Sequence, residues 1–302
     1  MSLTSEVQNP DSFVRKFIDR EFPHLKNLSA EITKELKAYR NLEYPKYSDT
    51  YAYTLVGTAT DYRIRFLYTR DAHKSVTIEQ GLKKLQYLYS YEFEGREYIN
   101  KLSNLDAGYT LLDDFYRQSL PLISKSDEEA LCRFCIFLAK IDHFRRGTSI
   151  FHFHEAMITG VFDLEKQIER AEKVWVDDVR QMAANYRETN AAALSRKLKV
   201  RHGSVLAGST DIGGADLDLV VDGCLVEIKT TIKPKTSTNL LRQIIGYWLL
   251  DYNDQFKIKS ARIDFIRQNH QVLLAEDIFL GNSRSKKAIR SEFMAALRSR
   301  HS

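Results

Sequence analysis

The sequence predicts an α/β chain: a small α/β core in the second half, joined to a large, mainly helical N-terminal region. Three observations predict it. Apolar residues recur at helical spacing through most of the first 186 residues. Beyond about residue 200 the pattern changes to short β-type runs punctuated by glycines. Among those runs sits Asp222-Gly223, a two-residue hairpin signal flanked by alternating polar and apolar residues.

The helical reading begins at Asp11–Phe22, whose aromatic and aliphatic side chains fall on one face. Ser29-Ala-Glu-Ile-Thr-Lys-Glu-Leu-Lys reads as a capped helix start. Pro45 and the tyrosines around it interrupt the pattern. Helices are expected again over Tyr53–Tyr68, Ile78–Leu102, Ala107–Gln118, Asp127–Arg146 and Leu164–Tyr186, with Arg145–Ser149 as a break between two of them. Strands are expected over Val205–Ala207, Leu217–Val221, Leu225–Thr231 and Ala261–Ile266, and a helix over Asn239–Tyr252. The boundary is placed near residue 160, giving a helical region over 1–160 and the α/β core over 161–302.

At 302 residues, 43% hydrophobic and 28% charged, the chain is built to bury a core and does not read as disordered or fibrous. No run approaches the roughly 18 consecutive apolar residues of a membrane span. The charged N-terminus does not read as a secretory signal, so a cytoplasmic protein with no membrane partner is expected. Three cysteines, Cys132, Cys135 and Cys224, cannot build a disulfide framework. The net charge of +5 is compatible with a polyanionic partner without requiring one.

The hairpin concentrates the chemistry. A type I′ turn at Asp222-Gly223 sets the register by counting outward: Val221 faces Cys224, Val220 faces Leu225, and Leu219 faces Val226. Asp218 then faces Glu227, and Asp216 faces Lys229. Alternation gathers Asp216, Asp218, Glu227 and Lys229 on one face and sends Leu217, Leu219, Val226 and Ile228 to the other, where they can meet a core. Two carboxylates directly opposed across a hairpin repel. A hard divalent cation removes the conflict, because it takes carboxylate oxygens as ligands. A solvated edge hairpin is the plain alternative for such alternation.

This segment resembles the active-site hairpin of the PD-(D/E)XK nuclease superfamily, with Asp218 as the motif aspartate and Glu227-Ile228-Lys229 as the (D/E)XK element. No proline precedes Asp218. Downstream, Gln243-Ile244-Ile245-Gly246-Tyr247 resembles the QxxxY motif of the RecB-like branch, and its two polar side chains share a helical face. The resemblance covers Leu206–Tyr252. It implies a restriction-endonuclease-like core with a central mixed β-sheet flanked by helices, and hydrolysis of nucleic-acid phosphodiesters with Mg²⁺ or Mn²⁺. DNA ranks ahead of RNA as substrate, and defence, restriction or repair as setting.

On that resemblance Asp218, Glu227 and the Ile228 carbonyl hold the metal, and Asp216 assists it or pairs with Lys229. Lys229 orients the nucleophile or stabilises the developing charge, while Gln243 and Tyr247 position the strand. Lys233, Lys235 and Arg242 follow the motif strand and are candidates for phosphate contact. Related nucleases carry an upstream GxxxHxxxE helix. Gly57 here is followed by Asp61 and Arg65 in place of His and Glu, which leaves Asp61 as an additional ligand and Arg63 and Arg65 as phosphate contacts, or all three as a helix-surface ion network. Glu169 and Glu172 are further candidate carboxylates. A protein partner or homo-oligomer is compatible with the large helical region, and a binding module that keeps the fold without catalysis is the rival function.

Other constellations read as structural. Cys132-Arg-Phe-Cys135 lies in an apolar helical run, and three cysteines in all are too few for the iron–sulfur cluster of some related nucleases, so buried thiols and no cluster are expected. His143 and the His152-Phe-His154-Glu155 group read as ordinary core or surface residues. Arg284, Lys286, Lys287, Arg290, Arg298 and Arg300 give the C-terminal stretch a basic character, set against Glu292 alone, which reads as a solvated helix by default and as a nucleic-acid contact in the alternative. Tyr44, Tyr47, Tyr51 and Tyr53 are candidate stacking surfaces.

Overall fold

The computed structural model describes residues 2–39, 42–92, 125–147, 164–233, 235–275 and 285–299, with the backbone alone at 86–92, 125, 164–165 and 216. The helices, in chain order, are α1 (Leu3–Gln8), α2 (Phe13–Glu21), α3 (Leu25–Leu36), α4 (Thr50–Tyr68), α5 (Val76–Glu92), α6 (Lys125–Arg145), α7 (Leu164–Glu169), α8 (Lys173–Thr189), α9 (Ala191–Leu194), α10 (Thr238–Leu250) and α11 (Lys286–Arg298). The strands are β1 (Val200–Val205), β2 (Asp216–Val221), β3 (Cys224–Lys229), β4 (Ser260–Phe265) and β5 (His270–Ala275). No helix among the described residues is long and apolar enough to cross a membrane.

The chain divides into two compact units, but not where the sequence placed the boundary. One unit comprises residues 1–42 and 196–302, the other 43–195. The first three helices therefore belong with the sheet. Their apolar stripes, including Leu3, Val14, Ile18, Leu25 and Leu36, share one core with α10, α11 and the sheet. Helical periodicity reveals an apolar stripe but not which distant surface will cover it.

In the sheet-bearing unit the five strands lie in sequence order β1-β2-β3-β4-β5. All neighbours are antiparallel except β3 and β4, which are parallel. A parallel pair needs a crossover, and α10 supplies it. Nearly every residue of α10 from Leu240 to Leu250 is buried, as a helix lying across a sheet requires. Gly246 gives α1 a close seat on it, since a Cβ there would lie 2.6 Å from the Leu3 side chain. Val220, Leu225, Ala261, Ile263 and Phe265 join this core, and the register puts all five on one face of the sheet. The expected placement of the core on the opposite face is thus incomplete: Leu219 and Val226 are buried there too, so the hairpin is covered on both sides.

Several elements differ from expectation. The first strand is Val200–Val205, a largely polar edge strand, and not 205–207. β5 at the opposite edge was not anticipated. α3 begins at Leu25, and Ser29 is no cap: its buried hydroxyl donates to the Thr236 carbonyl at 3.1 Å. The helix expected over Leu164–Tyr186 is two, α7 and α8. The helix expected over Ala107–Gln118, and the end of the one over Ile78–Leu102, lie outside the described residues.

In the helical unit α4, α6 and α8 pack around Leu55, Val56, Ala59, Ile136, Val176 and Val179. Arg63 and Glu128 form a two-pronged ion pair at 2.7 Å inside it. Tyr62 donates to Asp142 at 3.2 Å and Tyr47 donates to Asp178, both within this unit.

Candidate functional site

The Asp222-Gly223 turn forms with positive φ at both residues, 51° and 82°, as a type I′ connection demands. Three pairs follow in the expected register: Val221 with Cys224, Val220 with Leu225, and Leu219 with Val226. There the β2–β3 ladder stops. β2 continues against β1, pairing Leu217 with Ser204 and Asp216 with Val205. β3 continues against β4, pairing Glu227 with Ile263 and Lys229 with Phe265. The ladder ends where Asp218 and Glu227 would have faced each other, and opposed carboxylates give a physical reason for it.

Past the last pair, Asp218 and Glu227 occupy the same face as Val220 and Leu225, and Lys229 follows on β3. Asp218 is half-buried. Glu227 is almost wholly buried, at 2% exposure, with apolar Leu225 and Ile263 as same-face neighbours. Its Oε1 accepts a hydrogen bond from Lys229 Nζ at 2.6 Å. A buried carboxylate needs such a partner, because desolvation of a lone charge costs several kcal/mol. For Asp216 the backbone is placed and the side chain lies outside the described residues.

Lys229 opens onto a cleft of about 400 Å³. Lys233 and Lys235 line it, as do Gln243, Ser237 and Asn239 from the start of α10, Phe265, and Thr4, Val7 and Gln8 from α1. Among the described residues no carboxylate stands in that lining. The first turn of α10, capped by the Ser237 hydroxyl on Leu240 N–H at 3.2 Å, adds the positive end of a helix dipole. The Lys233–Lys235 loop is tied at both ends. Arg267 and Gln268 donate to the carbonyls of Thr230 and Thr231, each at 3.1 Å. Ser29 and Thr33 hold Thr236 at the far end.

Gln243 and Tyr247 meet as helical neighbours, with Gln243 Nε2 donating to Tyr247 Oη at 2.7 Å. Only Gln243 reaches the cleft. Tyr247 is buried and fixes the amide from behind. The arrangement can hold an anion against three ammonium groups and an amide, with two carboxylates beside it.

Other predicted contacts are committed elsewhere. Arg242 turns from the cleft to make a two-pronged pair with Asp19, at 2.7 and 2.9 Å, and to reach Asn239. Arg63 makes a two-pronged pair with Glu128 and Arg65 pairs with Asp61 one turn away, so the helix carries ion pairs, but buried ones and not the helix-surface network expected. Asp61, Glu169 and Glu172 all belong to the helical unit. Among the described residues no group of three or more His, Cys, Asp or Glu is gathered for a metal.

Cys132 and Cys135 are buried free thiols, and burial pushes Cys132 up to about 12. His143 contacts Tyr51 and Thr58 through its two ring nitrogens, and burial lowers its pKa. His152, His154 and Glu155 lie outside the described residues. Tyr47 and Tyr53 pack on each other with ring centroids 4.6 Å apart and planes tilted by 58°. The basic C-terminal helix is largely structural: Arg290 is buried, donating to the Trp248 carbonyl and to Asp254, and Lys286 donates to the Ile258 carbonyl. Arg298 pairs with Asp211 at 3.5 Å, and Arg284 and Arg300 lie outside the described residues.

The α1 wall and the Ser237-Thr-Asn start of α10 were missed from sequence. The second carried a signal, a serine directly before an apolar helical run. The first, six residues long, carried little. Comparisons of the chain with protein-family models, with curated proteins and with solved structures find no match.

Proposed function

We propose that this chain is a metal-dependent nuclease, with a restriction-endonuclease-like core whose site is built by Asp218, Glu227, Lys229, Gln243 and the cleft lysines. One observation carries the reading: β2 and β3 cease pairing at Asp218 and Glu227, which leaves two carboxylates and a lysine beside a cation-lined cleft. The donor set fits Mg²⁺ or Mn²⁺, which commonly take one or two protein carboxylates and complete their shell with water and substrate phosphate. Asp218, Glu227 and the Ile228 carbonyl are the groups that would hold it, with Asp216 as a further candidate. Such an ion supplies Lewis-acid polarisation of the phosphate and acidifies bound water.

The chain's own residues do the rest. Lys229 lines the cleft, where its ammonium can neutralise charge that develops on a phosphoryl oxygen. Gln243, held by Tyr247, presents its amide to the strand. Lys233 and Lys235, on a loop tied at both ends, meet flanking phosphates. Incubation with single- and double-stranded DNA and RNA in Mg²⁺ or Mn²⁺ tests the reading, with Asp218→Ala and Lys229→Ala as controls. Cleavage lost in both variants supports it, and cleavage unchanged in both sinks it.

A binding module without catalysis is the second reading, and the Lys229–Glu227 pair favours it, because the lysine already neutralises the carboxylate a metal would use. Mn²⁺ separates the two. A nuclease gains Asp218-dependent thermal stability on adding Mn²⁺, and a module of this second kind does not.

A further inference from the structure

The opposite end of the same hairpin carries a second cluster of cations. A pocket of about 240 Å³ opens beside the Asp222-Gly223 turn, ringed by Lys199, Arg201, Lys257 and Lys259 over a floor of Val220 and Phe256. All four basic side chains are exposed. Among the described residues none of the four has an acidic partner within ion-pair distance. This separates them from Arg63, Arg242 and Arg290, each of which is tied to a carboxylate. Asp222 is the one acid among the described residues of the lining, and its Oδ1 already accepts the Lys199 backbone N–H at 2.8 Å.

The backbone here is held in place. Lys259 N–H donates to the Gly223 carbonyl at 2.8 Å, and a Cβ at Gly223 would lie 2.8 Å from the Lys257 carbonyl. Lys257 itself sits at φ 49°, an uncommon conformation for a lysine that the surrounding structure must enforce. Four like charges on fixed backbone repel one another and lower stability, so an anionic ligand is the compensation that chemistry suggests.

Register places this pocket relative to Asp218. Arg201 pairs with Val220, so it shares the face of Asp218, Glu227 and Lys229. Between His202 and Ser204 the β1–β2 pairing skips Gly203, at φ 50°, which brings no side chain to the position beside Asp218. A glycine inside a strand often marks a close approach by a ligand or another backbone. Val205, next on this face, is 42% exposed. At about 3.3 Å per residue, Arg201 stands roughly 7 Å and the turn roughly 13 Å from Asp218 along β2. That spans two to four nucleotides at the roughly 3.4 Å per-strand spacing of B-form DNA. α10 covers the face on the β3 side, so the open route runs along β1.

We propose that the Lys199, Arg201, Lys257 and Lys259 pocket is a second phosphodiester-binding site, which holds a nucleic-acid strand leading over Gly203 from the acidic end of the hairpin. The proposal deepens the nuclease reading and rests on it for the identity of the polyanion. Its test avoids catalysis. Fluorescence anisotropy of a labelled oligothymidylate, in EDTA and across a KCl series, compares the natural chain with Lys199→Gln/Arg201→Gln/Lys257→Asn/Lys259→Gln. Asn is chosen at Lys257 because it tolerates positive φ. A control removes the same kind of charge elsewhere, with Lys26→Gln/Lys34→Gln/Lys37→Gln on α3 and its C-cap, and a thermal melt confirms that each variant is folded.

The expected result is a salt-dependence slope reduced by about two to three in the fourfold variant, at roughly 0.7 for each single-strand phosphate no longer neutralised, and an unchanged slope in the control. A charge-reversed Lys199→Glu/Lys259→Glu variant, which removes the same four units of charge, should weaken binding comparably while leaving the fold intact. An unchanged slope in both pocket variants overturns the proposal, as does the absence of oligonucleotide binding at low salt, or binding to anionic lipid vesicles alone. Cleavage with Mg²⁺ alongside an unchanged slope keeps the nuclease reading and removes this one. A reduced slope without Asp218-dependent thermal stabilisation by Mn²⁺ keeps the pocket and removes the nuclease.

Discussion

Lys229 Nζ donates to Glu227 Oε1 at 2.6 Å, an ammonium one-third exposed reaching down to a carboxylate that is almost wholly buried. The asymmetry matters. Lys229 can leave for solvent or a phosphate at small cost, whereas Glu227 without a counter-charge carries the full burden of desolvation.

Lys229→Ala should therefore lower stability by about 1–3 kcal/mol at neutral pH, from loss of the Lys229 hydrogen bond to a buried carboxylate. On the nuclease reading, Mn²⁺ then takes over as counter-charge, so it should raise the melting temperature of Lys229→Ala more than that of the natural chain. Differential scanning fluorimetry with and without Mn²⁺ measures both. An equal rise in the two chains would remove the metal from this site.

The hairpin was legible because two local rules act together. Asp222-Gly223 sets the turn, and period-two alternation carries the register outward for as long as the strands stay paired. Where they part is decided by β1 and β4, which no count along the hairpin reveals. The arginines were harder for the same reason. Arg63 and Arg242 read as exposed helical bases until Glu128 and Asp19, 65 and 223 residues away, are brought to them. Edge strands β1 and β5 were mistaken or missed because strands with one neighbour need little apolar surface.

Arg63 was a candidate phosphate contact, and its burial makes a different prediction. Arg63→Ala leaves Glu128 buried without its partner, and should cost about 3–5 kcal/mol. Arg63→Met/Glu128→Leu removes both charges and should recover much of that loss. Urea unfolding of the three chains provides the comparison. A double variant no more stable than Arg63→Ala would mean that the pair contributes chiefly through its shape.

Gly81 in α5 offers a test in which propensity and packing have opposite signs. Alanine there should favour an isolated helix by about 1 kcal/mol. A Cβ at Gly81, however, would lie 2.5 Å from Ile141 Cγ2 and 2.8 Å from the Ile141 carbonyl on α6. A side-chain methyl can rotate, but a helix backbone must shift, and overpacking of that kind costs about 1–3 kcal/mol. Gly81→Ala should lower the melting temperature, and a rise would show that α5 and α6 separate easily.

Lys140 gives the chain a pH dependence on the alkaline side. It lies buried in α6, and burial, aided by the nearby Arg170 and opposed by Glu172, pushes its pKa down to about 8 from an ordinary 10.5. Below pH 8 it is charged in both folded and unfolded chains, so the folded state bears the whole desolvation cost. Between pH 8 and about 10.5 the unfolded chain binds the extra proton, and linkage requires folding stability to rise with pH across that window. Lys140→Met, similar in volume and uncharged, should accordingly be more stable than the natural chain at pH 7, by an amount on the order of 2–3 kcal/mol. That advantage should shrink steadily as the pH approaches 10.5. Urea unfolding of both chains at half-unit pH intervals follows the difference directly. A difference that stays constant across the window would mean that Lys140 keeps its proton by reaching solvent.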